Sequence, residues 1–264
     1  MSGFSAEWLA LREPVDHAAR AASVTAFVAH SVASRASLVV ADLGCGTGSN
    51  VRYLAPFLPS ARTWRLLDHD AALLGAAQRL LAVPTAPTVI DLHALDAQAL
   101  DGCDLITASA LLDLVSDAWL VRFVELCRHA GAAVLFALNY DGRMVCTPAD
   151  PDDDLVRDLV NRHQRTDKGL GPALGPDSGP RTASALRDAG YDVRVEKSDW
   201  QMGPDQAELQ RQLIEGWVSA AVELSPADAD RIRAWRTRRL AHLDAGRSHI
   251  VVGHDDVGGV LRGE

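Results

Sequence analysis

The stretch Val39-Val40-Ala41-Asp42-Leu43-Gly44-Cys45-Gly46-Thr47-Gly48-Ser49-Asn50 decides how the rest of the chain is read. A short β-rich run, Ser37–Leu43, ends in an acid and passes straight into three alternate glycines. Without a Cβ the backbone can turn tightly and lie against a ligand, and the amides that open the next helix then face that ligand. A dinucleotide fingerprint, G-x-G-x-x-G, would need glycine where Ser49 stands. The observed spacing is G-x-G-x-G, and the acid two residues before Gly44 argues against a tight turn with no ligand.

Working outward, Pro14 to Ala33 reads as a helix with His17, Arg20, Val24 and Phe27 along one stripe. After the glycine turn and a helix through Leu54, strands are expected at Thr63–Leu67, Thr88–Leu92 and Asp104–Ala108, with helices at Ala71–Leu81 and Asp117–Ala130. Ala132–Leu138 is apolar throughout, as expected for a central parallel strand buried on both faces. This alternation predicts an α/β fold with a doubly wound, mostly parallel sheet. Past Asn139 the rhythm breaks into a polar stretch, a helix from Leu155 to about His163 and another over Thr182–Ala189, and then a strand at Tyr191–Lys197. Two helices, about Asp205–Glu223 and Ala227–Asp244, precede a last strand at Ser248–His254. No clean linker interrupts the chain. We therefore expect a single domain over residues 1–264, with cap segments at about 1–34, 141–180 and 200–247.

The block D-L-G-C-G-T-G resembles the first motif of class I S-adenosylmethionine-dependent methyltransferases, and the order of elements over about residues 37 to 140 matches that family. The resemblance implies a Rossmann-like sheet of seven strands, an enzyme that transfers a methyl group, and S-adenosylmethionine as its cofactor, leaving as S-adenosylhomocysteine. It also implies roles for residues. Asp42, Gly44 and Gly46, with Asn50 beside them, hold the methionine part. Asp68, at the end of the second strand with His69 next to it, binds the ribose hydroxyls, because a carboxylate can accept two hydrogen bonds. Asp70 is left to cap the following helix. Asp96, with Asp91 and Asp101 as competitors, and Ala97 meet the adenine, and the segment Asp104–Asp113, with Ser109 in it, closes under the cofactor at the fourth strand and faces the acceptor. Arg20, on the inward stripe of its helix, grips the cofactor carboxylate.

Acceptor contacts are expected from three polar clusters. Trp8, Arg12 and His17 lie on or just before the first helix, Asn139 and Tyr140 directly follow the fifth strand, and His163 and Lys168 sit farther on. Ligands of open parallel sheets bind beyond the carboxyl ends of the strands, which favours the second cluster. His163 and His17 are the candidate bases, since an imidazole titrates near neutrality. No metal is required for the displacement. Arg12, Arg165 and Lys168 favour an anionic small molecule over a neutral one.

The formal charge of -9, from 35 acidic and 26 basic residues, argues against a nucleic-acid partner. The extruded-base signature N-P-P-Y or D-P-P-Y is missing after the fourth strand, which again favours a small-molecule acceptor. An RNA or protein methyltransferase, and a module that binds the cofactor without turnover, are the alternatives. Cys45, Cys103, Cys127 and Cys146 form no CxxC pair and suit a reduced, cytoplasmic protein. No membrane partner is expected, and the chain is read as a monomer or homodimer. About fifty residues, Trp200 to Arg247, stand where a short hairpin would suffice, so its two helices are expected to cap the site. Leu213, Ile214, Trp217 and Val218 would otherwise make a dimer face.

Overall fold

A computed structural model describes residues 5–262, so residues 1–4 of the first expected cap segment lie outside it. Ser5 accepts a hydrogen bond from the Trp8 amide and opens α1 (Ala6–Ala19). The helix expected over Pro14–Ala33 is two helices, because Arg20 turns to an extended ψ of 135° before α2 (Ala22–Val32) begins. Asp256 causes the break: its Oδ2 accepts from both Arg20 Nε and the Ala21 amide, groups that a continuous helix could not present together.

β1 (Leu38–Leu43) and α3 (Ser49–Leu54) flank the glycine loop. The alternation continues through β2 (Ala61–Asp68), α4 (Ala71–Leu80), β3 (Thr85–Val89) and α5 (Ala97–Leu100). Next come β4 (Leu105–Ser109), α6 (Asp117–His129) and β5 (Ala133–Thr147). The third strand starts three residues earlier than expected and lies on the sheet edge, where Pro87 removes no needed donor. The remainder is α7 (Asp153–Gln164), α8 (Ser178–Asp188), β6 (Tyr191–Lys197), β7 (Trp200–Met202), α9 (Ala207–Leu224), α10 (Ala229–Asp244) and β8 (His249–Leu261).

The strands run in the order β3-β2-β1-β4-β5-β8-β6, with β7 also on β8. β8 is antiparallel to its three neighbours and the other pairings are parallel. Eight strands replace the expected seven, because the lane of β6 resumes as β7 after a kink at Ser198 and Asp199. Lys197 stands opposite Asp255, and Trp200 opposite Val252. β5 and β8 are also longer than expected. Past an irregular register at Asn139 they pair again from Met144 opposite Val252 to Thr147 opposite His249. With β7 they form a three-stranded extension.

Period-two alternation sorts the core into two layers on either side of the sheet. In β5, Val134 and Phe136 join Phe123 and Cys127 of α6 and Leu186 of α8, whereas Ala133 and Leu135 join Val24 and Val28 of α2 and Leu54 of α3. A third cluster belongs to the extension. Met144, Cys146, Trp200, Met202 and Ile250 pack there against Val15 of α1, Val156 and Val160 of α7, Ile214 of α9 and Trp235 of α10. Each such buried side chain contributes about 1.5–3 kcal/mol relative to exposure, so the cap helices have a core of their own. Among the described residues no helix is long and apolar enough to cross a membrane.

Candidate functional site

The sheet register brings the site together before any side chain is considered. Asp42 of β1 stands opposite Thr107 of β4 and Leu66 of β2, so three strand ends converge where the glycine loop leaves β1. Gly44, Gly46 and Gly48 take φ of 60°, 52° and 81°, the left-handed region that penalises a Cβ. Space matters as well as conformation: a Cβ on Gly46 would lie 3.0 Å from Leu9 Cδ1, because α1 lies across the loop.

Two carboxylates face the cavity above this loop. Asp68 Oδ2 accepts from the Gly46 amide at 2.8 Å and Oδ1 from the Asp70 amide at 3.0 Å, so the acid also fixes the loop. Each oxygen keeps a second lone pair for a ligand. Asp42 is fully buried; its Oδ1 accepts from Asn50 Nδ2 at 2.7 Å, and its Oδ2 has no partner. Burial pushes this carboxyl up to about 7, against the Asn50 hydrogen bond and the Arg20 charge, while Asp68 adds to the rise. Such an oxygen is costly unless something charged or hydrogen-bonding meets it.

The cavity is lined further by Leu9, Arg12 and Asp16 of α1, by Thr47, Ser49 and Asn50, and by His69 and Leu73. Ser109, Ala110 and Leu111 after β4 complete the wall with Leu92, Leu114 and Leu170. Ala110 holds φ at 52°, a strained value for a residue with a side chain, at the end of a strand that faces the cavity. α1 is fastened over the site by Glu13, which accepts from Arg52 Nε at 2.7 Å, and by His17, whose Nε2 lies 3.0 Å from the Ser49 carbonyl. The Cys45 thiol lies in the same wall, and burial with Asp42 and Asp68 nearby pushes its pKa up, so it stays protonated.

No protein-family model matches the chain, and a search of curated proteins returns no significant match. Solved structures do resemble it. The cyclopropane synthase MmaA2 of Mycobacterium tuberculosis aligns with a TM-score of 0.53 at 10% identity, over 97% of this chain and 94% of its own. A candidate methyltransferase of Bacillus halodurans aligns with a TM-score of 0.50 at 11% identity, over 90% and 97%. The fold is that of the class I methyltransferases. Within that class I fold the glycine loop and both carboxylates occupy the carboxyl ends of the strands, where open α/β sheets bind their ligands.

The expected residues divide accordingly. Asp42, Gly44, Gly46, Asn50, Asp68, His69, Ser109 and Arg12 line the cavity together. Asp70 caps α4, accepting from the Ala72 and Leu73 amides. Asp96 is exposed and caps α5 by accepting from the Ala99 amide, with Ala97 at the first position of that helix. Neither lines the cavity.

Arg20 does not line the cavity, and its Nη2 is buried without a partner among the described residues. Its side chain is 1% exposed, pairs with Asp256, and donates to Asn50 Oδ1 at 2.7 Å, so it reaches the site through Asn50. His17 docks α1 onto Ser49 instead of lining the cavity. His163 sits 3.4 Å from Glu223 of α9 and 3.1 Å from Lys168 Nζ, in the seam between cap elements, and burial and Lys168 push its pKa down. Asn139 donates to the Phe136 and Asp255 carbonyls and holds the β5 irregularity; Tyr140 donates to Asn161. Trp8 packs against the cap core with its indole N–H buried and unpartnered.

Two residues were given no role of their own from the sequence. Asp16 accepts from Arg12 Nε and Nη2 at 2.9 and 3.1 Å and from Trp200 Nε1 at 2.9 Å. The signal was its place eight residues after Trp8 and four after Arg12, one face of a helix. Asp113 is a lone acid in the apolar run after β4, buried with Oδ1 unpartnered. Of the three expected cap segments, the first lines the cavity with Leu9, Arg12 and Asp16, the second with Leu170, and 200–247 with no side chain. The last is held against α7 by its own core and ion pairs and reaches the site through Trp200, which donates to Asp16 and lies under the Arg12 guanidinium at 5.0 Å, so the two helices expected to cap the site do not line it.

Proposed function

We propose that the protein is an S-adenosylmethionine-dependent methyltransferase acting on a small molecule. The observation that carries this reading is the convergence of a glycine cradle, the unpartnered buried oxygen of Asp42 and the half-free carboxylate of Asp68 in one cavity. These groups fit the cofactor by chemistry. Asp42 Oδ2 would hold the amino group of the methionine part, Asp68 the ribose diol, and the glycine backbone the chain between them. S-adenosylmethionine supplies an electrophilic methyl on a good leaving group. The protein's share is then alignment of the acceptor, exclusion of water and handling of a proton.

Support for a small acceptor comes from α1, which covers the loop and is tied down by Glu13 and His17. The anionic character expected for that acceptor keeps one cation of the three. Arg165 pairs with Asp177 and Lys168 lies against His163 and Thr166, away from the cavity, which leaves Arg12, whose Nε and Nη2 donate to Asp16 and whose Nη1 has no partner among the described residues, as the cation in the lining. Incubation with methyl-labelled cofactor and a metabolite extract tests the reading. Label in a small molecule is expected; label in RNA or protein, or in nothing, overturns it.

A further inference from the structure

The cavity follows the strand ends from Asp68 and His69 after β2, past the glycine loop of β1 and Ser109 to Leu111 after β4, to Arg12 and Asp16 of α1. Arg12 marks the end remote from Asp68. Its guanidinium lies 5.0 Å over the ring of Trp200, on the strand β7 that pairs with β8. Its charge is felt at Asp113, after β4, and at His254 of β8, whereas the arginine whose charge is felt at Asp42 is Arg20. Arg12 is only 9% exposed, and it is fixed on one edge: Nε and Nη2 donate to Asp16 at 2.9 and 3.1 Å, and Trp200 Nε1 donates to the same carboxylate at 2.9 Å. A guanidinium has five N–H groups, so the opposite edge keeps its donors. Nη1 has no partner among the described residues and, unlike the indole N–H of Trp8 one turn earlier on α1, is not shut in by the packing.

We infer that the methyl acceptor carries an oxyanion, a carboxylate or a phosphate, and that the free edge of the Arg12 guanidinium binds it. The inference rests on the methyltransferase reading and names the acceptor class. A planar fork matches the paired oxygens of such a group, and Asp16 and Trp200 hold the fork in place before the acceptor arrives, which lowers the cost of binding. A neutral acceptor without an oxygen at that edge would leave a covered N–H group unpaired. The acids in the lining do not oppose this placement: Asp42 and Asp68 lie at the cofactor end, and Asp16 is closed by three donors. The cofactor's own carboxylate is the competing occupant. It is attached to the carbon that bears the ammonium assigned to Asp42, which keeps it at the β1 end of the cavity.

The test starts from the native protein, methyl-labelled S-adenosylmethionine and a metabolite extract, with the labelled product identified by mass spectrometry. A product that carries a carboxylate or phosphate, free or as its methyl ester, is expected; a labelled product with neither group overturns the inference without any variant having to fold. Arg12→Gln should then keep its affinity for S-adenosylhomocysteine within about twofold in calorimetry, while kcat/KM for the identified acceptor falls about tenfold to a hundredfold, the size expected of one charge-assisted contact. Arg12→Lys, which keeps the charge without the fork, should recover part of that loss. Unchanged kcat/KM in Arg12→Gln overturns the inference, and so does a tenfold loss of S-adenosylhomocysteine affinity, which would give the arginine to the cofactor carboxylate. Failure of the native protein to label any small molecule overturns the methyltransferase reading instead, and this inference with it.

Discussion

Two groups of aspartates, one at the head of the sheet and one on the cap, show the same residue type put to opposite uses. In the cap, Asp153 accepts from Trp235 Nε1 at 2.8 Å and from Arg239 Nη2 at 2.7 and 2.6 Å. Asp150 is paired with Arg238, and Asp152 with Arg231 and Arg238. Those three acids are closed by cations of α10, and together they fasten it to the start of α7. At the head of the sheet Asp42 is buried more deeply but keeps an oxygen with no partner, and Asp68 is met only by backbone amides and the edge of His69. A saturated carboxylate marks architecture here, and an unsaturated one marks a place prepared for something else.

The largest expected effect lies at the head of the sheet. Gly46→Val puts a branched side chain at a left-handed φ of 52° and against Leu9, so binding of S-adenosylhomocysteine should be lost in calorimetry. Near-native affinity would mean that the loop does not cradle the ligand. The complementary break is Arg239→Ala, which removes a fully buried guanidinium from half-buried Asp153 and should cost about 1.5–3 kcal/mol in denaturant unfolding. Affinity at the cavity should change by less than about twofold, because none of α10 lines it. A large loss of affinity would tie the cap to the site after all. A smaller effect sharpens the contrast further: Asp68→Ala should weaken binding about tenfold to a hundredfold, since it removes charge-assisted bonds worth roughly 1.5–3 kcal/mol each at most. Unchanged affinity would reassign the ribose contact.

Legibility from sequence follows the same division. The glycine loop was readable because its geometry is local: Asp42 through Asn50 come together within one strand-turn-helix, and their place in the lining needs only backbone freedom and one acid. Asp68 and Asp70 could be told apart because a cap must stand immediately before its helix. Arg20 could not be placed, since its partner Asp256 is 236 residues away and nothing near Arg20 announces it. His163 was misplaced for a related reason. It extends an apolar stripe of α7, and a stripe states that a face is covered without stating by what; the cover is α9, not the cavity. The extension of β5 hid behind polar Asn139–Arg143. Only Met144 and Cys146, buried on either side of exposed Val145, show the alternation of a strand.

The central claim is that Asp42, buried with its Oδ2 unpartnered, waits for a cation. Its raised pKa of about 7 makes that claim measurable, since a proton and an ammonium compete for the same oxygen. Because the folded value lies above the unfolded one, this group's contribution to the stability of the free protein is present at low pH and is lost as pH rises through about 7. A cationic ligand reverses the balance, so the stabilisation it confers should grow over the same range. Calorimetric titration of S-adenosylhomocysteine at pH 8 and pH 6 tests this most directly, with Asp42→Asn alongside. The account predicts one ligand per chain, affinity about tenfold weaker at pH 6 than at pH 8, and no such dependence in the variant. No binding at either pH, or binding that is indifferent to both pH and the substitution, would contradict it.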